Sequence, residues 1–307
     1  MRILRATIVA CLLASISTVP AAAYPAAPAS VATATPSVAT TAAATPLLVD
    51  VRAFRRSTYD RVVWEFRGGL PTTRFARYVP ELLADGSGEP VRIAGDAILQ
   101  LTMFQANAHD DNGSTAQRRL VLGGGNVIEV VQSGDFEATV SYGVGLARRQ
   151  DFRLFTLRSP DRVVLDVRKN YRQATRSVTF LNEKRFADNT PPFTQRVNRR
   201  VPATSPARAV LHQLFAGPRP SERRRDLQTV RSEATGFTTL TISANKVARV
   251  RLKGGCDSGG STFTVANLIV PTLKQFSSVR WVKIYDPQGH TEQPTGRRDS
   301  IPTCLEP

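Results

Sequence analysis

Histidine and cysteine are almost missing from this chain, with three of each in 307 residues, and acidic side chains are scarce, 25 against 41 basic ones. Cys256 and Cys304 have no second cysteine and no histidine at ligand spacing, so no zinc-type framework can be read from them. No paired carboxylates and no nucleophile elbow stand out either, so the sequence carries no legible catalytic machinery and no cofactor site. Long apolar runs are lacking too. The longest, Ala6 to Val19, is 14 residues, short of the roughly 20 that a spanning helix needs.

That run follows Arg2 and Arg5 and ends at Pro20-Ala21-Ala22-Ala23, the pattern of a secretory signal over 1–23 with cleavage near Ala23. The expectation is a secreted or cell-envelope protein with no integral span after cleavage. Ile8-Val9-Ala10-Cys11 has the form of a lipobox, but the apolar stretch between Arg5 and Cys11 is too short for a normal signal core. If Cys11 leaves with the signal, two cysteines remain. An even count in an oxidising compartment argues for one bridge, Cys256 to Cys304, against a metal pair or two free thiols.

The net charge of +16 is unevenly placed. Residues 46–170 hold 17 basic and 15 acidic side chains, whereas residues 171–307 hold 22 and 10. In an exported protein such a polycation concentrates peptidoglycan-associated or other anionic wall polymers, anionic headgroups or acidic proteins near its surface. The compartment argues against nucleic acid. A simple solubilising surface fits the same numbers.

Residues 24–46 are Ala, Thr, Pro, Ser and Val with a single Tyr and no charge, which predicts an extended tether, glycan-bearing or inert. From 47 to 170, apolar runs broken by Gly, Pro, Asp and Asn about every ten residues predict eight strands of an all-β sandwich or partly open barrel. They are Leu47–Val51, Arg61–Phe66, Arg74–Tyr78, Ala97–Met103, Asn126–Val131, Glu137–Val144, Phe152–Leu157 and Arg162–Val167. Gly123-Gly124-Gly125 lacks the Lys-Ser/Thr of a phosphate loop and reads as a turn. Tyr59-Asp60-Arg61-Val62-Val63 recurs as Pro160-Asp161-Arg162-Val163-Val164, which reads as two equivalent turn-to-strand entries.

From 175 the pattern becomes α+β. A strand over Arg176–Leu181 is followed by a polar loop to Thr204, then a helix capped by Ser205 with Pro206 at its first position and ended by Gly217-Pro218. Strands Phe237–Ile242 and Val247–Leu252 form a hairpin whose second member turns Ala248, Val250 and Leu252 inward and Arg249, Arg251 and Lys253 outward, a candidate basic contact strip. A glycine turn leads to a helix over 261–276, where Ser258 or Ser261 would serve as the cap and Pro271 is awkward. Val279–Tyr285 closes the domain. Residues 219–225, four of them arginine, have no reading.

Three local patterns invite chemistry. Asp257-Ser258-Gly259-Gly260 resembles the nucleophile loop of chymotrypsin-like proteases, but His109 and His212 lack that family's surroundings. His109-Asp110-Asp111 holds possible cation ligands that cannot close a site alone, and a solvated loop reads better. His290 sits in a turn with no visible partner.

RSVTFLNE (176–183), ARAVLHQLFAGP (207–218), VARVRL (247–252), LIVPTLKQF (268–276) and VRWVKIYD (279–286) together resemble a GerMN domain, the sporulation and spore-germination module, over about 175–290. YDRVVWEF (59–66), GSGEPVRIAGDAILQLTM (86–103) and FRLFTLRSPDRVVLDV (152–167) are similar to the AMIN-like domain that precedes such modules in secreted actinobacterial proteins. The resemblance implies a β-sandwich that contacts peptidoglycan and a small α+β domain, similar to ring-building motifs, that meets other proteins. It implies no catalytic residue, and no amidase follows the AMIN-like part. The disulfide would staple the tail, 291–307, onto the second domain. The alternative is an assembly or regulatory subunit of an envelope or sporulation complex that binds no glycan, with a hydrolase a distant third.

Overall fold

The computed structural model describes residues 44–306. The leader expected over 1–23, Cys11, and the tether over 24–46 apart from its last three residues lie outside them.

Short apolar runs with period two become strands in the first part. In chain order these are β1 (Leu47–Arg55), β2 (Tyr59–Arg67), β3 (Thr73–Val79), β4 (Ala97–Phe104), β5 (His109–Asp110), β6 (Gly113–Ser114), β7 (Arg119–Val121), β8 (Val127–Phe136), β9 (Thr139–Leu146), β10 (Phe152–Leu157) and β11 (Asp161–Arg168). They form two antiparallel sheets, β1-β2-β11-β10 and β3-β4-β9-β8-β7, with β5 and β6 as a separate hairpin. Val62, Trp64 and Phe66 of β2 and Val163, Leu165 and Val167 of β11 face Leu99, Leu101 and Met103 of β4 across the sandwich. Trp64 meets Tyr142 edge-on at 5.8 Å between ring centres. Each such side chain contributes roughly 1.5–3 kcal/mol by leaving water.

β8 does not alternate. Val127, Val130 and Ile128 are all buried because the strand has a core on each face: Val127 and Val130 point into the sandwich, and Ile128 into the second part.

The second part contains β12 (Gln173–Asn182), α1 (Glu183–Ala187), β13 (Thr194–Pro202), α2 (Pro206–Ala216), α3 (Pro220–Arg223), β14 (Leu227–Gln228), β15 (Ala234–Ile242), β16 (Val247–Gly254), α4 (Ala266–Leu273) and β17 (Trp281–Tyr285). Its sheets run β13-β12-β14 and β15-β16-β17, with β16 and β17 parallel. Helices α2 and α4 pack on β12, burying Val210, Leu214, Leu268 and Leu273 against Val178, Phe180 and Val250. The fold is therefore a strand-rich sandwich followed by a smaller α+β part.

Several expectations need correction. The polar loop drawn from 182 to 204 contains α1 and the nine-residue β13. Its alternation is masked because Arg199 occupies an inward position between Val197 and Val201, and is 1 % exposed. The helix drawn over 261–276 starts only at Ala266, so neither Ser258 nor Ser261 caps it; Pro271 stays inside a helix of eight residues. Ser205 stands at the N-cap of α2 without a side-chain capping bond.

The two parts share one compact unit. Ala94, Val121, Ile128 and Ala147 of the sandwich belong to the apolar core of the second part.

Candidate functional site

The sheet β1-β2-β11-β10 turns one face outward, and its register brings chemically complementary side chains into rows. Phe54, Arg61, Asp166 and Arg153 form one row; Arg52, Val63, Val164 and Phe155 form the next. Arg61 holds Asp166 with two bonds of 2.7 and 2.8 Å. Its guanidinium also lies 5.3 Å from the Tyr59 ring and 5.4 Å from the Phe155 ring, while Arg153 lies 5.0 Å from Phe155. The Asp166 bond raises the Arg61 pKa, so the charge is fixed at any working pH. At the end of this face a cavity of about 540 Å3 is lined by Tyr59, Asp166, Arg153 and Asn170 among others. Rings flanked by forked donors and a carboxylate suit a polar, ring-shaped ligand more than an apolar one.

The repeated Asp-Arg-Val-Val segments lie on β2 and β11, which pair directly, but they are not equivalent. Asp60 is fully buried, accepts from the amides of Asn126 (2.5 Å) and Val127 (3.0 Å), and pairs with Lys169 at 2.9 Å. Asp161 is only partly buried and lies 3.7 Å from Arg158. Asp60 thus anchors the triple-glycine turn. Gly125 has φ of +80°, and a Cβ there would meet the Asp60 carboxylate at 2.5 Å.

On β16, Arg249, Arg251 and Lys253 are turned away from the buried Ala248, Val250 and Leu252. Two of the three are engaged. Arg251 donates to the Pro287 carbonyl at 2.9 and 2.7 Å, and Lys253 bridges to Glu81 of the sandwich at 2.9 Å. Arg249 is opposite Lys283 of β17, whose buried ammonium donates to the carbonyls of Gln293 (2.5 Å) and Thr295 (2.9 Å). The segment after β17 therefore folds over part of this face. Ser300 continues the sheet by bonding Ile284 and Val282, and Cys304 is disulfide-bonded to Cys256.

The other singled-out residues fall apart as sites. His109 pairs with Asp135 at 2.7 Å rather than with its neighbours, and Asp110 accepts from the Asn112 amide within the β5–β6 hairpin. That hairpin stands where a solvated loop was expected. His290 does have a partner, Asp286, at 3.2 Å. Ser258 is 4 % exposed, and among the described residues no histidine bonds it. His212 is buried on α2 at the boundary between the parts, 3.9 Å from Asp96, with its ring 4.7 Å from that of Phe237. Burial lowers its pKa, while the nearby His212 and the bond from Arg208 at 2.5 Å hold Asp96 well below the usual carboxylate range.

The unread stretch 219–225 proves to be the seam between the parts. Arg199 grips Glu222 with bonds of 2.7 and 2.6 Å, both groups buried, and the Arg219 amide donates to the same carboxylate at 2.8 Å. The Arg219 guanidinium reaches the Gly123 carbonyl, Arg55 reaches that of Leu122 at 2.5 Å, and the Gly125 amide donates to Arg200 at 3.1 Å. Sequence reasoning missed this cluster and the Arg61–Asp166 pair. The signals were the Arg-Pro start of a one-turn helix with Glu222 inside it, and the Asp-Arg repeat.

The AMIN-like domain family matches residues 46–169, and the family described as sporulation and spore germination, GerMN, matches residues 177–285. The chain is an AMIN-like domain followed by a GerMN domain. No curated protein and no solved structure matches it. Both domains are of non-catalytic type, and the pair points to an envelope- or sporulation-related module. The AMIN-like domain and the disulfide both fit an extracytoplasmic protein. Among the described residues no helix is long and apolar enough to cross a membrane.

Proposed function

We propose that this protein is an exported, non-enzymatic wall-binding and scaffolding module. Its AMIN-like sandwich docks on peptidoglycan glycan through the outer face of β1-β2-β11-β10. Its basic GerMN domain meets an anionic wall polymer or an envelope protein, with Arg249, Arg251 and Lys253 offered as part of the basic surface. The observation that carries the glycan half is the Tyr59–Arg61–Asp166–Phe155 cluster: two rings, a forked donor and a carboxylate on an open sheet face, beside a polar cavity. Sugars are bound by this combination, because rings cover C–H faces while charged forks take the hydroxyls.

The test is co-sedimentation of the mature protein with purified peptidoglycan at two salt concentrations, comparing it with R61A/F155A. The expected result is binding that resists salt and falls at least tenfold in the variant with the fold unchanged by circular dichroism. Binding that vanishes at high salt and is indifferent to the variant refutes glycan docking and reduces the interaction to charge. No binding at all favours the assembly-subunit reading, to be followed by crosslinking in cells.

A further inference from the structure

The domain seam carries more positive charge than the protein itself neutralises. Arg55, Arg199 and Arg219 converge on the Leu122-Gly123 segment; Glu222 is set among them with Arg199 taking both of its oxygens, and Asp60, which also acts on Arg55, is already paired with Lys169. Arg55 and Arg219 satisfy one donor each on a backbone carbonyl, which is neutral. The Arg219 pKa is drawn down to about 10, first by burial and then by repulsion from Arg199 and Arg55. These two guanidinium groups open onto a groove of about 600 Å3 between β1 and α3, with the exposed Arg224 and Ser221 on its far wall. Arg52, also on the wall, is already paired with Asp50 and Glu65.

We infer that this groove binds a phosphoryl oxyanion, and that its occupant is the phosphodiester chain of an anionic polymer. The inference rests on the reading that the basic half of the protein meets such a polymer, and it names the site. A guanidinium offers five N–H donors in a planar fork that matches a phosphoryl group, and two forks here hold most of their donors free of carboxylates. An anion between them removes the mutual repulsion of Arg55 and Arg219. The polymer is favoured over a bilayer because the arginines are strung along an open groove between two domains, which a thin chain can follow from the exposed Arg55 and Arg224 to the partly buried Arg219.

The experiment uses the mature protein and its R55Q/R219Q, R55K/R219K and R224Q variants, with R297Q/R298Q as a charge control elsewhere on the surface. Thermal unfolding is followed with inorganic phosphate against sodium chloride at equal ionic strength, which removes simple screening. Binding is then measured to a poly(glycerol phosphate) polymer and to vesicles of phosphatidylglycerol or phosphatidylcholine. Phosphate should raise the midpoint of the wild type and of R297Q/R298Q by more than it raises that of R224Q or R55Q/R219Q, a difference that cancels its general stabilising effect on folded proteins. Polymer affinity should fall at least tenfold in R55Q/R219Q, severalfold in R224Q, which sits on the rim and leaves the seam bonds intact, and partly in R55K/R219K.

Equal polymer binding by the wild type, R224Q and R55K/R219K overturns the site. If the triple variant R249Q/R251Q/K253Q then loses binding, the polymer reading survives without this groove. No polymer binding by the wild type ends both. Binding only to phosphatidylglycerol vesicles, sensitive to R224Q, overturns the polymer as the occupant.

Discussion

Removing the Glu222 charge is the sharpest perturbation of the seam. E222Q preserves the shape of a side chain that is 4 % exposed, but leaves Arg199, 1 % exposed, without its counter-charge and beside Arg55 and Arg219. Breaking a buried pair by deleting one partner costs about 3–5 kcal/mol, because the remaining ion keeps its desolvation penalty. For a folded unit of this size each kcal/mol moves the melting midpoint by roughly 2–4 °C. The expected fall is therefore roughly 6–20 °C by calorimetry or circular dichroism. Replacing both partners, as R199M/E222L, should recover most of that loss, since no buried charge is left unpaired. A fall below about 2 °C in E222Q, or a double variant as unstable as the single one, would refute the claim that this carboxylate organises the junction.

Two further outcomes follow from the same geometry. Burial pushes the Glu129 carboxyl up to about 7, against an opposing pull from Arg119. A raised carboxyl pKa means the folded state holds a proton that the unfolded chain has lost. The stabilisation is present below about pH 4.5 and disappears as pH rises through 7, a change of roughly 3 kcal/mol. Urea unfolding at pH 5 and pH 8 should show the wild type losing most of that amount relative to E129Q; parallel pH profiles would refute the assignment. C256S/C304S opens a loop whose ends are 48 residues apart and should cost about 4 kcal/mol on the chain-entropy account, read as a lower midpoint and faster proteolysis after Tyr285. An unchanged midpoint would show that Lys283 and its two carbonyls hold the segment unaided.

Much of the architecture was legible where burial is one-sided. Burial alternates along β4, whose Leu99, Leu101 and Met103 meet the sandwich core, and along β16, whose Ala248, Val250 and Leu252 are buried between basic side chains; on β2 and β11 Val63 and Val164 are buried on the outer face as well. Legibility failed where a strand serves two cores or where a charge is buried. β8 reads as a plain apolar run because the second domain covers its back, and β13 reads as a loop because Arg199 takes a core position. The seam was invisible for a related reason: the meaning of Arg219–Arg225 depends on Gly123, nearly a hundred residues upstream, and on Arg199, and no local pattern links them. The Arg61–Asp166 pair depends in the same way on the β2–β11 register. By contrast, Arg249, Arg251 and Lys253 were placed on one face correctly by alternation alone, but alternation could not reveal that Pro287 and Glu81 occupy two of them.

The seam also changes how the two domains can be studied. A hinge between them would need a polar, solvated boundary, yet Ala94, Val121, Ile128 and Ala147 lie within the core of the GerMN domain. Expressing 46–170 alone would expose those apolar side chains and the back of β8, and would strip Gly123 of the arginine that holds its carbonyl. Expressing 171–307 alone would leave Arg199 and Arg219 facing water across a gap once filled by the triple-glycine turn. Loss of binding in either fragment would then report misfolding as readily as a missing site. The two faces are presented on one body, so the proposed polymer in the seam and the proposed glycan on β1-β2-β11-β10 would act on a common scaffold, and β1 belongs to both. Point variants in the intact chain are the perturbations that separate their contributions.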